Sequence, residues 1–159
     1  MLVIVDYKAG NLKSVERACR EVGVEAEISG DPEKIRQASR LIFPGVGAAG
    51  AAMASLQETG IDEAIREFFN LGRPVLGICL GLQISLNYSE ENQTKTLDLI
   101  SGEVKKFRLK ETGLKIPHMG WNTVNVIQQH AVLDRIEPRD EFYFVHSYYA
   151  VPAKKESVY

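Results

Sequence analysis

The first half of the chain alternates between short apolar runs and stretches of helical period. Leu2, Val3, Ile4 and Val5 form an unbroken apolar run ending at Asp6, the pattern of a strand buried on both faces. Leu12, Val15, Ala18, Cys19 and Val22 then recur at helical spacing, and Gly23 ends that helix. Residues 24–28 read as a second strand. Asp31 followed by Pro32 supplies a cap and a first-turn proline for a short helix to about Gln37. A third strand over 41–43 runs into Pro44 and Gly45. Two helices are expected over 48–57 and 61–71, and a buried strand then leads through Val75 to Cys79. This order dictates parallel strands joined by right-handed helical crossovers.

The second half changes character. Residues 97–107, 121–127 and 141–149 have strand patterning with little helix between them, which fits antiparallel strands added to the same sheet. In the last of these, alternation puts Tyr143, Val145, Ser147 and Tyr149 on one face and Phe142, Phe144, His146 and Tyr148 on the other. The expected fold is α/β, a three-layer sandwich with a mostly parallel central sheet extended by antiparallel strands, in a single domain over 1–159. Ligands of such sheets bind beyond the carboxyl ends of the parallel strands. Asp6-Tyr7, Pro44-Gly45-Val46-Gly47 and Cys79 all fall there.

Composition mainly excludes. A net charge of -2 gives no electrostatic ground for a nucleic acid or an anionic membrane as partner. No apolar run approaches the roughly 20 residues that span a bilayer, and the N-terminus lacks the basic start and cleavage site of a signal peptide. Cys19 and Cys79 make neither a disulfide framework nor a metal-ligand pair. A cytoplasmic protein with free thiols and without metal or cofactor is expected. Lys105, Lys106, Arg108 and Lys110 read as a solvated strand end.

The chemistry concentrates at Gly77-x-Cys79-x-Gly81, where a strand runs into a helix-compatible segment. That is the pattern of a nucleophile elbow with cysteine at its tip: a sharp turn presents the side chain, and flanking glycines let neighbouring elements crowd it. The free N–H groups just beyond favour a negatively charged sulfur, and the amide of Leu80 would face an oxyanion. Cys19, at an apolar helix position, reads as core. The glycine-rich loop from Pro44 to Gly47 could cradle a phosphate, carry amides to an oxyanion, or simply turn the chain. It lacks the Lys-Ser/Thr pair of a Walker loop and the spacing of a dinucleotide fingerprint. His118-Met119-Gly120-Trp121-Asn122 holds the only tryptophan, a contact surface or a core aromatic.

Taken in order, Asp6-Tyr7-x-x-Gly10-Asn11, Pro44-Gly45-Val46-Gly47, Gly77-x-Cys79-x-Gly81-x-Gln83, Pro117-His118-Met119-Gly120-Trp121-Asn122 and Val145-His146-Ser147-Tyr148 closely resemble the glutaminase subunits of imidazole glycerol phosphate synthase. These are triad-type, class I glutamine amidotransferases of histidine biosynthesis. The likeness runs from Met1 to about Pro152. It implies glutamine hydrolysis, with the ammonia passed to a cyclase subunit that is a (β/α)₈ barrel, in a heterodimer. By the same resemblance Cys79 forms the glutamyl thioester. Leu80 N–H, with an amide of Val46 or Gly47 after a peptide reorientation, forms the oxyanion hole. Gly47, Gln83, Glu91, Ser147 and Tyr148 hold the amino and carboxylate groups of glutamine, and Asn11, Trp121, Tyr143 and His146 face the cyclase.

Three departures from that family are mild: Lys8 where a small residue is usual, Ala49 where an aromatic is common, and Leu82 where methionine is common. One is serious. The family completes its triad with a His-Pro-Glu segment, and none of His118, His130 and His146 precedes a Pro-Glu pair. A form truncated before that segment is expected to be inactive or strongly impaired. Two other readings compete: a module that only binds the cyclase, and a different class I amidotransferase sharing the elbow. If the elbow forms, Cys79 should be alkylated by iodoacetamide well before Cys19. Peptide mapping checks this, and equal labelling would mean that no elbow is present.

Overall fold

The computed structural model describes residues 1–109 and 114–159, so Lys110 of the basic run lies outside the described residues. Four parallel strands form the centre: β1 (Leu2–Val5), β2 (Ala26–Ser29), β3 (Arg40–Gly45) and β4 (Val75–Cys79), in the order β2-β1-β3-β4. The chain steps from β1 outward to β2 and then back across to β3. The carboxyl ends of β1 and β3 therefore flank a topological switch point. Helix α1 (Leu12–Glu21) covers one face, where Leu2, Ile4 and Cys19 pack together. Helices α2 (Pro32–Gln37), α3 (Ala49–Thr59) and α4 (Ile61–Asn70) cover the other, around Val3, Val5, Phe43, Leu56 and Ile65. The alternation of Leu2 and Ile4 with Val3 and Val5 thus feeds two cores, which is why the strand carries no polar position.

Local signals behave as their chemistry requires. Asp31 accepts a hydrogen bond from the Glu33 amide at 2.9 Å ahead of Pro32. Asn11 accepts one from Ser14 N–H at 3.3 Å and so caps α1. Arg73 donates to the Arg36 and Ala38 carbonyls at 2.7 and 3.1 Å, satisfying acceptors that the end of α2 leaves free. Arg36 pairs with Glu67 and Glu33, bridging α2 to α4, and the guanidinium holds the Glu67 carboxyl below its ordinary range.

The other strands do not extend the parallel sheet directly. Beyond the one-turn helix α5 (Leu80–Gln83), β5 (Tyr88–Ser89) and β6 (Thr94–Lys95) form a small hairpin. Two longer strands follow it, β7 (Gly102–Lys106) and β8 (His118–Thr123), and then β9 (Glu141–His146) and β10 (Tyr148–Pro152). A mixed sheet runs β10-β7-β5-β6, and β8 pairs with β9 as a separate antiparallel ribbon. The strand expected over 141–149 therefore breaks at Ser147 and serves two sheets, so the single alternation of faces through Tyr149 does not hold. Strand β8 starts at His118 rather than Trp121, because its register is set by the partner strand: His118 opposes His146 and Thr123 opposes Glu141.

Strand β4 is also not buried throughout. It is an edge strand, with Leu76 46% and Ile78 40% exposed on one face. Among the described residues no helix is long and apolar enough to cross a membrane. Asp31→Ala should lower stability by about 1 kcal/mol through loss of the cap. Urea unfolding checks this as a shifted midpoint at constant slope; an unchanged midpoint would show that the cap contributes nothing.

Candidate functional site

Three strand ends build the site. Cys79 closes β4 with φ 54° and ψ −114°, a conformation a non-glycine residue rarely adopts, and its side chain is exposed while Cys19 is buried. The turn is possible because of what flanks it. A Cβ on Gly81 would overlap the Phe43 carbonyl, and one on Gly77 would come within 2.9 Å of Leu82 Cα. The elbow thus presses its backbone onto β3. The helix that follows is a single turn, Leu80–Gln83, too short to build a macrodipole.

Register then brings in the glycine-rich loop. Gly45 pairs with Cys79 and Pro44 with Ile78, so Val46 and Gly47 emerge beside the thiol. Cys79, Leu80, Val46 and Gly47 line one wall of a cavity of about 370 Å³. Gln83, Glu91, Ser147 and Tyr148 line the rest, with Pro117, Val145 and His146 at its side. All eight residues expected to bind or transform a substrate thus share one cavity. A larger concavity, about 640 Å³, lies between α1 and β2 around Glu16, Arg20 and Glu27. It holds no nucleophile, and its size is no guide to the chemistry.

Among the described residues, the hydrogen bonds leave specific groups free. Glu91 accepts from Ala49 N–H at 2.8 Å through one carboxylate oxygen, and its own amide donates to Ser89 Oγ. Its other oxygen remains an acceptor for a cation. Gln83 Nε2 donates to the Tyr148 carbonyl at 3.1 Å, leaving Oε1 free to accept. The same carbonyl lies 2.8 Å from His146 Nδ1, which must therefore carry the proton. His146 Nε2 lies 3.2 Å from His118 Nδ1, within hydrogen-bonding distance. Both nitrogens of His146 are occupied.

The ribbon sorts the expected contact residues by face. Trp121 and Tyr143 are directly paired, 5.5 Å apart edge to face, and lie 67% and 55% exposed beside Met119 and Val145. His146 projects to the opposite face, against Phe107 and Phe144. The ribbon therefore separates it from the other aromatic contact residues. Asn11, also exposed, spends its side-chain oxygen on capping α1.

Sequence reasoning placed Asp6-Tyr7 at a strand end without giving Tyr7 a task. Its side chain is 1% exposed, and its hydroxyl is the one buried side-chain polar atom without a partner among the described residues. Such a group costs about 1–3 kcal/mol of desolvation. Burial, and secondarily the nearby Cys79, push the phenol well above its ordinary range, so it stays protonated. Only its position just after an apolar strand hints at this burial.

The sequence matches the family Glutamine amidotransferase class-I over residues 3–158. It is 51% identical over 160 residues to an imidazole glycerol phosphate synthase subunit HisH of Nitratidesulfovibrio vulgaris strain DP4, covering 98% of this chain and 75% of that one. A protein of the same name from Desulfovibrio desulfuricans is 48% identical, with 96% and 72% covered. A crystal structure of a glutamine amidotransferase superposes with a TM-score of 0.68 at 17% identity, over 96% of this chain and 74% of that one. That last likeness is one of fold. Gly81→Ala should destabilise the protein by about 3 kcal/mol, because the new methyl must displace the β3 backbone, and should slow Cys79 alkylation. Thermal unfolding and labelling rates check this, and wild-type values in both would refute the close approach.

Proposed function

Since the chain belongs to the class I glutamine amidotransferases, and within them to the HisH subunits of imidazole glycerol phosphate synthase, we propose that Cys79 is the nucleophile of its glutamine hydrolysis in histidine biosynthesis. The observation that carries this is the elbow itself: a strained, exposed cysteine whose cavity also contains the Leu80 amide, the Val46–Gly47 loop and the free acceptors of Glu91 and Gln83. The Cys79 thiolate attacks the carboxamide carbon of glutamine. The carbonyl oxygen takes up the negative charge, and Leu80 N–H with the Val46 or Gly47 amide stabilises it. Collapse expels ammonia, which requires a proton, and leaves a glutamyl thioester. Water then cleaves the thioester to glutamate and regenerates the thiol.

Glu91 and Gln83 Oε1 suit the substrate ammonium, while Ser147 and Tyr148 suit its carboxylate. The exposed face of Met119, Trp121, Tyr143 and Val145, with Asn11, suits a cyclase barrel as partner in a cytoplasmic heterodimer. The 159 residues act as one domain in this reading.

Proton transfer is the step these residues do not serve. His146 faces the cavity with both ring nitrogens engaged, so it offers no lone pair to Cys79. His118 and His130 precede no Pro-Glu pair. The 159-residue polypeptide should therefore show less than about one-thousandth of the glutamine turnover of a HisH relative, with or without cyclase, while still binding a cyclase barrel. Coupled glutamate release and a binding titration check this. Turnover comparable to the relative would overturn the absence of a base, and no association at micromolar concentration would remove the docking role.

A further inference from the structure

Tyr7 sits at the switch point between β1 and β3 without an assigned task. Its carbonyl accepts from Ser55 Oγ at 2.7 Å, which ties this residue to α3, and its ring lies against Phe43 at 5.5 Å. The hydroxyl reaches the α-carbon of Gly45, where any Cβ would overlap it. That same Cβ position is 3.1 Å from Leu80 Cβ and 3.3 Å from Gly81 N. The phenol tip thus occupies the point where the end of β3 meets the first residues after Cys79. An unpartnered hydroxyl is poor filling for such a place, since phenylalanine would occupy the same volume without a polar atom to satisfy.

A planar trans peptide points its N–H and C=O in opposite directions. Turning the Val46 N–H into the cavity must swing the Gly45 carbonyl away from it, and the buried Tyr7 hydroxyl already reaches the Gly45 α-carbon. We infer that Tyr7 is a positioning residue whose hydroxyl donates to the Gly45 carbonyl when the Gly45–Val46 peptide turns its N–H to the oxyanion. The inference rests on the reading of Val46 as an oxyanion donor. It assigns the resting form an unsatisfied donor and the reacting form a satisfied one, which biases the loop toward turning when charge develops on the substrate oxygen.

The test needs no base. A glutamine-shaped chloromethyl ketone places its carbonyl oxygen where the substrate's would be; the Cys79 sulfur displaces chloride, forming a C–S bond as chloride leaves. With cyclase present, Tyr7→Phe should lower the limiting inactivation rate about tenfold and leave the concentration for half-maximal rate unchanged. It should also leave iodoacetamide labelling of Cys79 at the wild-type rate and the thermal midpoint equal or higher. A wild-type inactivation rate in Tyr7→Phe, or a rate loss accompanied by a lowered midpoint, would overturn the inference while leaving the oxyanion reading standing. If the wild-type protein itself shows no saturable inactivation by the ketone, the underlying reading fails, and this inference with it.

Discussion

The close approach of the Cys79 elbow to β3 is the constraint on which the site depends. Gly81 lies against the Phe43 carbonyl, and Gly45 is in register with Cys79. These contacts put Cys79 at the end of one strand and the glycine-rich loop at the end of the next. The strained backbone of Cys79 persists because the structure around it over-determines it: β4 pairs with β3 on one side, and α5 begins without a free residue between. Every later feature of the cavity is arranged around that fixed wall.

A second junction joins the sheets. The Tyr148 carbonyl receives Gln83 from the elbow and His146 from the ribbon. One acceptor thus links α5, the start of β10 and the end of β9, just where the chain passes from one sheet to another. His118 extends the link across the ribbon. The two faces of the ribbon then divide the work. One carries the histidine pair and packs inward with Phe107 and Phe144, and the other leaves Trp121 and Tyr143 uncovered. Strands β8 and β9 thus leave one face uncovered while His146 on the other borders the Cys79 cavity.

Much was legible from local pattern alone. The α/β class, the parallel strands, the Asp31-Pro32 helix start, and the pairing of Cys79 with the Pro44–Gly47 loop all follow from periodicity, capping chemistry and glycine placement, which act over a few residues. The elbow around Cys79 was enough to indicate acyl transfer through a cysteine, because a nucleophile elbow is itself a local structure; glutamine entered through the family likeness. The family likeness extended this to the cavity's far wall.

What the chain's pattern could not determine was partner choice between distant segments. Residues 141–149 read as one alternating strand, yet the chain turns at Ser147 because Glu141–His146 pairs with β8 and Tyr148–Pro152 with β7. That break decides which face His146 takes and which groups its ring nitrogens meet there. Exposure of Leu76 and Ile78 likewise depends on β4 lying at an edge, a matter of sheet order rather than of sequence pattern. The Tyr7 hydroxyl lies buried against Gly45, far from it along the chain. Periodicity determined which segments became strands and helices, while hydrogen bonding and packing between remote segments decided what each side chain faces.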